Sequence, residues 1–586
     1  MNALFDLFIE NNIEFLRAPY LAWGQLCYMS DTEFVHGIMG DEELLMFEIP
    51  KVIFSIDWEG KSFEYVEKSN ILTKERITSN QFVDAALLAG SYFFKGFSTP
   101  NPMQTSQKKE DRFKNELENI KGIRSASAIL KMNNVRDDIA MQVFSSKNLI
   151  MHHPVLDFMT NTVVVLNKDA LPRDFDEIVG ERLPDEIYFL MCHGILSPQL
   201  VGNLVSGVFY EPTPLFDSQE YKDFITIWKP IYTSALNIFT SEMNDYFKNK
   251  PVTLYRHYAT EDHHHQLSGD SVIIERKPAN IFLDGLQFQI NESLISKFCQ
   301  QQKVTYNEDC TSLSFVLNLK PALLKKNQPQ TFSTVNEAKS FIHLKVLETL
   351  GYVKKGNTAD VLTSKGKLLA SAKIYPEETL VLLELAKNNH LTASWNFERP
   401  FTEETKIANE EEILLISRVL SLVPLTFRRT SLAKSGWTGP IKLDLAIYYS
   451  IVKLLQSSIA RLYESILTAV YMSHNLTQDN VAPVMNAMRS ITTFGSVGNN
   501  TMGILAFVIM SMPIEKSYAQ TNFKSMFLCC QNAYKDFVER AIPFWQQSYS
   551  ILKKLGTDNK VLLTRLEKAN ELFEERIKAV ATVLEQ

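Results

Sequence analysis

The stretch IEFLRAPYLAWGQLCYM, residues 13–29, sets the interpretation of the first part of the chain. Ile13–Arg17 is predicted as a short strand, which Ala18-Pro19 ends because proline has no N–H to donate to a strand ladder. The apolar residues that follow recur at helical spacing and predict a helix from Leu21 to Met29. The stretch is therefore predicted to be a strand followed by a helix.

Further along the chain, two apolar runs are predicted as buried strands, Phe34–Ile38 and Glu48–Phe54. Ser79-Asn80 is predicted to cap a helix that continues through Phe82–Ala89 and ends at Gly90. Strands and helices in alternation are typical of a parallel α/β sheet, so an α/β fold is predicted for this region.

The rest of the chain is predicted to be mainly α. Helical patterns dominate from Ser125 to Asn249 and from Glu337 onward, with short β-like runs (SVIIER, LQFQI, LSFVLNL) between Ser271 and Leu319. Polar, proline-containing stretches at 98–114 and 325–330 are predicted linkers. The predicted divisions are an α/β region at 1–110, a helical extension at 111–265, a β-like segment with linker at 266–334, and a C-terminal helical domain at 335–586.

One part of the last domain has the helix–hairpin–helix pattern of a winged helix. An amphipathic helix is predicted over Glu337–Leu350, Tyr352–Lys354 is predicted to pair with Val361–Thr363, and another helix begins in Lys367–Ala372. The lysines on or near this wing are Lys354, Lys355, Lys365 and Lys367. They suit either a nucleic-acid contact or the solvated wing of a protein-binding module.

The charge of the chain limits how it could bind nucleic acid. A formal net charge of -7 over 586 residues gives no overall attraction for phosphates, so binding requires a local basic patch. The candidate patch is LTFRRTSLAKSGW, residues 425–437, in which phosphates would contact Arg428, Arg429 and Lys434 while bases would stack on Phe427 and Trp437. A capped loop between core helices explains the same residues, and both interpretations remain open.

No metal site, cofactor or membrane span is predicted. The six cysteines form no CxxC pair, and His263–His265 lie on a predicted loop, where adjacent imidazoles point in different directions. The most apolar stretch, GILAFVIMSMP at 503–513, is much shorter than the ~20 residues that a membrane span needs.

Residues Phe8–Tyr92 resemble the internal region of flap-endonuclease and XPG-type nucleases, which have a PIN-like fold. In that region a lead-in ending in Ala-Pro precedes S-E-A-E-A-Q, a strand runs into E-D-x-D, and a helix ends in L-L-G-x-D. The matching stretches here are IEFLRAP (13–19), YLAWGQ (20–25), GDEELLMF (40–47) and FVDAALLAGSY (82–92). The resemblance implies an incomplete PIN/flap-endonuclease-like parallel sheet.

The same resemblance assigns the metal-binding positions. Such nucleases use two divalent ions about 4 Å apart, held by converging carboxylates. The glutamates of E-A-E fall on Leu21 and Trp23, the aspartates of D-x-D on Asp41 and Glu43, and the aspartate of G-x-D on Tyr92. Leu21, Trp23 and Tyr92 replace carboxylates, so the resemblance implies a pseudonuclease and not an enzyme. The alternative is a structure-specific nuclease with a remodelled metal site at Asp41 and Glu43.

A narrower resemblance covers most of the chain. APYLAWGQLCYM (18–29), HHPVLD (152–157) and LPDEIYF (183–189), with a helical C-terminal half, resemble the killer-toxin-maintenance (MKT) family of fungal post-transcriptional regulators. The resemblance implies cytoplasmic control of messenger RNA stability or translation, with direct or indirect contact to the message. It also implies a complex with an ataxin-2-like, poly(A)-binding-protein-associated partner. A helical scaffold with no RNA role is a third hypothesis that the sequence does not exclude.

The start of the chain carries one further expectation. Members of the nuclease class begin with a strand that carries a metal-binding aspartate, and nothing before Ile13 matches it. We therefore expect the leading strands of the sheet to be missing from this polypeptide, which would leave the strand near Phe34–Ile38 less covered. The helix predicted at Ala3–Asn11 could cover only part of that gap.

Overall fold

A computed structural model gives two compact units, Ala3–Leu196 and Ser197–Gln586, both mainly helical with small sheets. The boundary between them falls inside the predicted extension 111–265. Within the described residues, no helix combines the length and the apolar character needed to cross a membrane. The structure describes residues 4, 7–8, 11–96, 109–210, 213–215, 218–255, 271–274, 288–307, 310–319, 322–323, 332–354, 362–392, 408–423, 443–473, 487, 491, 501–511, 533–556 and 560–584.

The first unit combines eight described helices with a three-stranded sheet and a separate hairpin. Its strands are β1 (Ile38–Met39), β2 (Lys51–Asp57), β3 (Ser62–Glu67), β4 (Pro154–Asp157) and β5 (Thr162–Val165). Its α-helices are α1 (Ala22–Asp31), α2 (Lys68–Glu75), α3 (Ser79–Ala89), α4 (Lys109–Ile123), α5 (Ala126–Met132), α6 (Asp137–Met151), α7 (Phe175–Val179) and α8 (Asp185–Cys192), with 3-10 helices at Glu42–Met46 and Lys168–Ala170.

The predicted parallel sheet is only partly correct. Strand β1 pairs parallel with β2, but β3 pairs antiparallel with β2, and the prediction did not include β3. The reason is the tight turn after β2, where the Asp57 carboxylate accepts the N–H groups of Glu59 and Gly60. So short a connection can only join antiparallel strands. The nuclease-like fold of this region therefore remains a proposal.

The local predictions around the sheet had mixed outcomes. Helix α3 and its end at Gly90, with a φ of 106°, are confirmed, but the predicted cap at Ser79-Asn80 is wrong: Thr78 caps the helix and forms a capping box with Gln81. The strand predicted at Ile13–Arg17 is wrong. This segment is irregular, and the Arg17 N–H donates to the carbonyl of Cys192 rather than to a strand.

The second unit is built mainly from helices, and its longest described helix has 31 residues. Its strands are β6 (Val208–Tyr210), β7 (Val252–Tyr255), β8 (Ser271–Ile274), β9 (Phe288–Gln289) and β10 (Ala322–Leu323). Its helices are α9 (Pro198–Ser206), α10 (Gln219–Phe239), α11 (Asp245–Asn249), α12 (Glu292–Gln302), α13 (Leu313–Asn318), α14 (Val335–Thr349), α15 (Ser364–Ala370), α16 (Pro376–Lys387), α17 (Glu410–Leu420), α18 (Leu443–Ser473), α19 (Thr501–Ser511), α20 (Ala533–Asp536), a π-helix at Phe537–Ala541, α21 (Ile542–Leu555) and α22 (Lys560–Leu584).

Two predictions for this unit are corrected. LSFVLNL was predicted as β-like but forms helix α13, because Ser312 caps it by accepting the N–H of Phe315 and the apolar run is too short to distinguish the two states. Helix α14 was predicted to be amphipathic but is buried on all sides, from Asn336 to Glu348. Its buried Lys345 and Glu348 form an ion pair at 3.0 Å, which allows charged residues to occupy that position.

The predicted winged-helix hairpin is present at one point only. Val353 and Leu362 form an isolated antiparallel bridge between α14 and α15. The wing itself, residues 355–361 with Lys355, lies outside the described residues. Lys354 and Lys365 are half-buried and Lys367 is exposed, so the winged helix and its nucleic-acid contact remain predictions.

Candidate functional site

Leu21, the residue that precedes helix α1, forms a hydrogen bond with a buried histidine. The backbone N–H of Leu21 donates to Nε2 of His153 at 3.1 Å, and Nδ1 of His153 lies 3.3 Å from the carbonyl oxygen of Leu149. Because Nε2 accepts, the proton of the neutral ring is placed on Nδ1. Burial lowers the pKa of His153 to about 4, which keeps the ring neutral. His153 thus accepts the N–H of the N-cap residue Leu21, a bond that the side chain three residues on makes in a capping box and that Gly24 cannot make.

One face of α1 fits closely on the segment that follows His153. A Cβ atom at Gly24 would lie 2.1 Å from Cδ2 of His153, so glycine is required for the helix to rest on the ring. Next to it, Gln25 holds the backbone of Leu156. Its Nε2 donates to the Leu156 carbonyl at 3.0 Å, and its Oε1 accepts the Leu156 N–H at 2.8 Å. YLAWGQLCYM therefore docks on HHPVLD through contacts between residues 131 positions apart.

The third stretch of the family resemblance, LPDEIYF, contacts the chain just before the same helix. The hydroxyl oxygens of Tyr20 and Tyr188 lie 2.6 Å apart. Burial and the neighbouring Tyr188 raise the pKa of Tyr20, so the Tyr20 hydroxyl stays protonated. Farther along α1, Tyr28 donates to Asp157 at 2.9 Å. The three stretches that carry the resemblance therefore converge on α1, a convergence that none of their local patterns predicts.

Trp23, also on α1, joins a second group of residues that we call the aromatic–acidic cluster: Trp23, Asp41, Glu43, Tyr92 and Phe93. The indole Nε1 of Trp23 donates to Oδ1 of Asp41 at 2.9 Å. Its ring meets the ring of Tyr92 edge-on, with 4.9 Å between centroids. The backbone N–H of Tyr92 donates to Oε1 of Glu43 at 3.2 Å.

The cluster contains most of the positions that were matched to nuclease carboxylates. Trp23 comes from α1, Asp41 and Glu43 from the start of the 3-10 helix after β1, and Tyr92 from the loop after α3. Leu21, the remaining matched position, uses its backbone N–H on His153. Positions far apart in the sequence are thus brought into contact where the resemblance to nucleases predicts the metal-binding positions.

Phe93 is the member of the cluster that the sequence analysis did not single out. Its ring centroid lies 5.6 Å from that of Trp23 and 5.8 Å from that of Tyr92. Its only sequence signal is its position directly after Tyr92, in a loop where a second aromatic residue has no helical or strand pattern to explain it.

The cluster does not fit a pair of divalent metal ions. Magnesium prefers several oxygen ligands in octahedral geometry. Here Trp23 directs its indole N–H at Asp41, and an N–H group has no lone pair to offer a metal ion. Among the residues that the structure describes, no group of three or more His, Cys, Asp or Glu side chains is placed to hold a metal ion.

The family of the chain follows from its matches to known protein families. Two models of the MKT1 family, both described as "Temperature dependent protein affecting M2 dsRNA replication", match residues 172–258 and 345–575. The chain belongs to the MKT1 family. The predicted MKT membership is therefore confirmed, whereas the nuclease-like region is not tested by these matches.

Relatives within the MKT1 family are similar to this chain over most of its length. The post-transcriptional regulator MKT1 of Cryptococcus neoformans var. grubii is 24% identical, over 86% of this chain and 68% of that protein. The protein of the same name in Saccharomyces cerevisiae is 20% identical, over 91% of this chain and 73% of its own length. The Trypanosoma brucei brucei protein of that name is 24% identical, over 78% of this chain and 61% of its own length.

The other candidate residues of this MKT1 family member cannot be placed. The basic, aromatic segment 425–437, with Arg428, Arg429, Lys434 and Trp437, lies outside the described residues. The same holds for His263–His265. The aromatic–acidic cluster is therefore the candidate site that the described residues define.

Proposed function

We propose that this chain is a non-catalytic post-transcriptional regulator of messenger RNA stability or translation. Support comes from its membership of the MKT1 family and from relatives named post-transcriptional regulators that match 78% to 91% of its length. A direct test is to tether the full chain to a reporter message in cells. A change in reporter protein or message level is expected, and no change in either would contradict the proposal.

The observation that carries the non-catalytic part of the proposal is the Trp23–Asp41 contact. Two-metal hydrolysis needs converging carboxylates. In the aromatic–acidic cluster an indole and a phenol ring stand at matched positions, and the Trp23 N–H engages Asp41. This arrangement favours a pseudonuclease over the alternative of a nuclease remodelled around Asp41 and Glu43.

A cleavage assay separates these two alternatives. The purified chain with magnesium or manganese is expected to leave flap, bubble and single-stranded substrates uncut above background. Cleavage that disappears in Asp41→Ala would show that the remodelled nuclease is correct. Cleavage that survives Asp41→Ala would be assigned to a contaminant.

We further propose that the chain acts in the cytoplasm with an ataxin-2-like, poly(A)-binding-protein-associated partner. The helical 335–586 segment is the predicted contact, because grooves between helices commonly hold a partner helix. Since the second compact unit begins at Ser197, the fragment to test is 197–586, with 3–196 as its counterpart. Capture of the partner by 197–586 is expected. Capture by 3–196 alone would place the contact in the other unit.

A further inference from the structure

The three rings of the aromatic–acidic cluster meet at steep angles, in an arrangement that we call the corner. The rings of Trp23 and Tyr92 are inclined at 70°, those of Tyr92 and Phe93 at 83°, and those of Trp23 and Phe93 at 52°. Trp23 and Phe93 pack their inner parts against the core, whereas Tyr92 is 66% exposed. The exposed Tyr92 ring is therefore accessible to a ligand, and it packs against two rings that the core holds in place.

Two carboxylates border this corner and are held in place by the cluster itself. The Trp23 N–H fixes Asp41, whose side chain is exposed, and the Tyr92 backbone N–H fixes Glu43. The bond to Asp41 uses one of its two carboxylate oxygens as acceptor and leaves the negative charge of this exposed side chain in place. The corner therefore combines aromatic faces with fixed negative charge at a solvent-accessible position.

This combination selects for a cation. The face of an aromatic ring attracts a cationic group within about 6 Å of its centroid, and Trp is the strongest of the rings. A carboxylate beside the rings adds charge-assisted hydrogen bonding. The same carboxylates repel phosphate, which disfavours RNA, and the Trp23 N–H against Asp41 disfavours a divalent metal ion.

We propose that the aromatic–acidic cluster binds the guanidinium group of an arginine side chain from a partner protein. Guanidinium is planar, stacks on aromatic faces and pairs with carboxylates through a fork of donors, so it fits this site better than the compact, strongly hydrated lysine ammonium. The inference rests on the proposed non-catalytic function, because it gives the positions matched to metal ligands a binding role.

The test uses the full chain labelled with 5-fluorotryptophan. The fluorine signal of Trp23 is assigned from the spectrum of Trp23→Phe, and the chain is titrated with N-acetyl-arginine amide. N-acetyl-citrulline amide, which has nearly the same shape but no charge, is the matched ligand control. A saturable shift of the Trp23 signal is expected with the arginine compound. The citrulline compound is expected to bind at least tenfold more weakly.

Protein variants locate the response. Asp41→Asn removes the charge but retains an oxygen that can accept the Trp23 N–H, and Tyr92→Leu removes the most exposed ring. Each is expected to weaken arginine binding by roughly tenfold. Glu59→Gln, an exposed carboxylate in the β2–β3 turn, is the matched control and should bind as the unaltered chain does. An unchanged pattern of the other tryptophan signals verifies that each variant is folded.

Several results would overturn the proposal. One is an equal response to arginine and citrulline. Another is saturable broadening of the Trp23 signal by manganese without any arginine response, which would indicate a remnant metal site. A third is a shift caused by single-stranded RNA alone. The cleavage assay on the same preparation tells the two proposals apart: no cleavage together with no arginine binding would reject only this inference.

Discussion

In each compact unit, a glutamine side chain forms hydrogen bonds to a backbone segment that is far from it in the sequence. In the first unit, Gln25 makes two hydrogen bonds to Leu156, and both residues are almost fully buried. In the second, Gln547 of α21 accepts the backbone N–H groups of Lys373 and Ile374 at 2.7 and 3.0 Å and donates to the Ile374 carbonyl at 2.7 Å. Gln547 makes more bonds, but it is half-buried and Lys373 is exposed.

The comparison teaches that burial should matter more than the number of bonds. A buried backbone group that loses its partner cannot bond to water instead, and leaving it unsatisfied costs about 1–3 kcal/mol per group. A group near the surface exchanges its partner for water, so the net loss per group stays near the lower end of about 0.5–1.5 kcal/mol. We therefore expect Gln25 to stabilise its unit more than Gln547 does, although it makes fewer bonds.

The largest expected effect is that of Gln25→Met, which keeps the length of the side chain and removes both bonds. The buried N–H and carbonyl of Leu156 then lack partners, and we expect a loss of about 4 kcal/mol in local stability. Hydrogen exchange of the full chain, followed in peptides covering α1 and β4, measures this loss. Gln142→Met, at an exposed position of α6, is the control. Unchanged protection of the Leu156 N–H in Gln25→Met would show that burial does not determine how much stability these hydrogen bonds contribute.

A change of pH tests the same buried contact through His153. Its pKa is 6.5 in the unfolded chain and about 4 in the folded one, so the unfolded state binds the extra proton between these values. The stability that the folded state gains by keeping His153 neutral is fully present above pH 6.5. It is lost as the pH falls to 4, and the total loss is about 3 kcal/mol. Exchange at residues 152–157, corrected for the intrinsic rate, follows it.

His153→Gln removes this titration, so its exchange should depend less on pH between 6.5 and 4 than that of the unaltered chain. His36→Gln changes an exposed ring in the same unit and should leave the pH dependence as it was. If His153→Gln retains the full slope, the loss of protection comes from other groups, and the neutral capping role of His153 is wrong.

Gly24→Ala tests how closely α1 rests on His153. Alanine favours a helix over glycine by about 1 kcal/mol, but its Cβ would lie 2.1 Å from the buried ring. Overpacking typically costs 1–3 kcal/mol, and so close an approach belongs at the upper end, about 3 kcal/mol. After the helix gain is subtracted, a net loss of about 2 kcal/mol is expected in thermal and exchange measurements. Gly122→Ala in α4, where no atom lies within 4 Å of the added Cβ, should be neutral or slightly stabilising. Equal effects at the two positions would show that the helix can move off the ring.

What the sequence predicted correctly was local. Helix α3 ends at a glycine and begins among polar residues that can cap, so its end was predicted at Gly90 and its cap within two residues of Thr78. The Gln25–Leu156 contact joins residues 131 positions apart, and no periodicity signals it. The family resemblance did place Trp23, Asp41 and Tyr92 at matched positions. Their contacts needed the structure, because the three residues lie far apart in the sequence and no local pattern pairs them.

The smallest expected effect closes the comparison. Gln547→Met removes three backbone bonds to Lys373 and Ile374, but these groups lie near the surface and can bond to water. At roughly 0.5 kcal/mol for each of the three bonds, we expect a loss of about 1.5 kcal/mol, measured by hydrogen exchange in the segment between α15 and α16. Gln546→Met, the exposed neighbour on α21, is the matched control and should change nothing in that segment. If Gln547→Met costs as much as Gln25→Met, the number of bonds outweighs burial. Gln547 would then act as a fixed joint between α21 and the start of α16, and the ranking proposed here would be reversed.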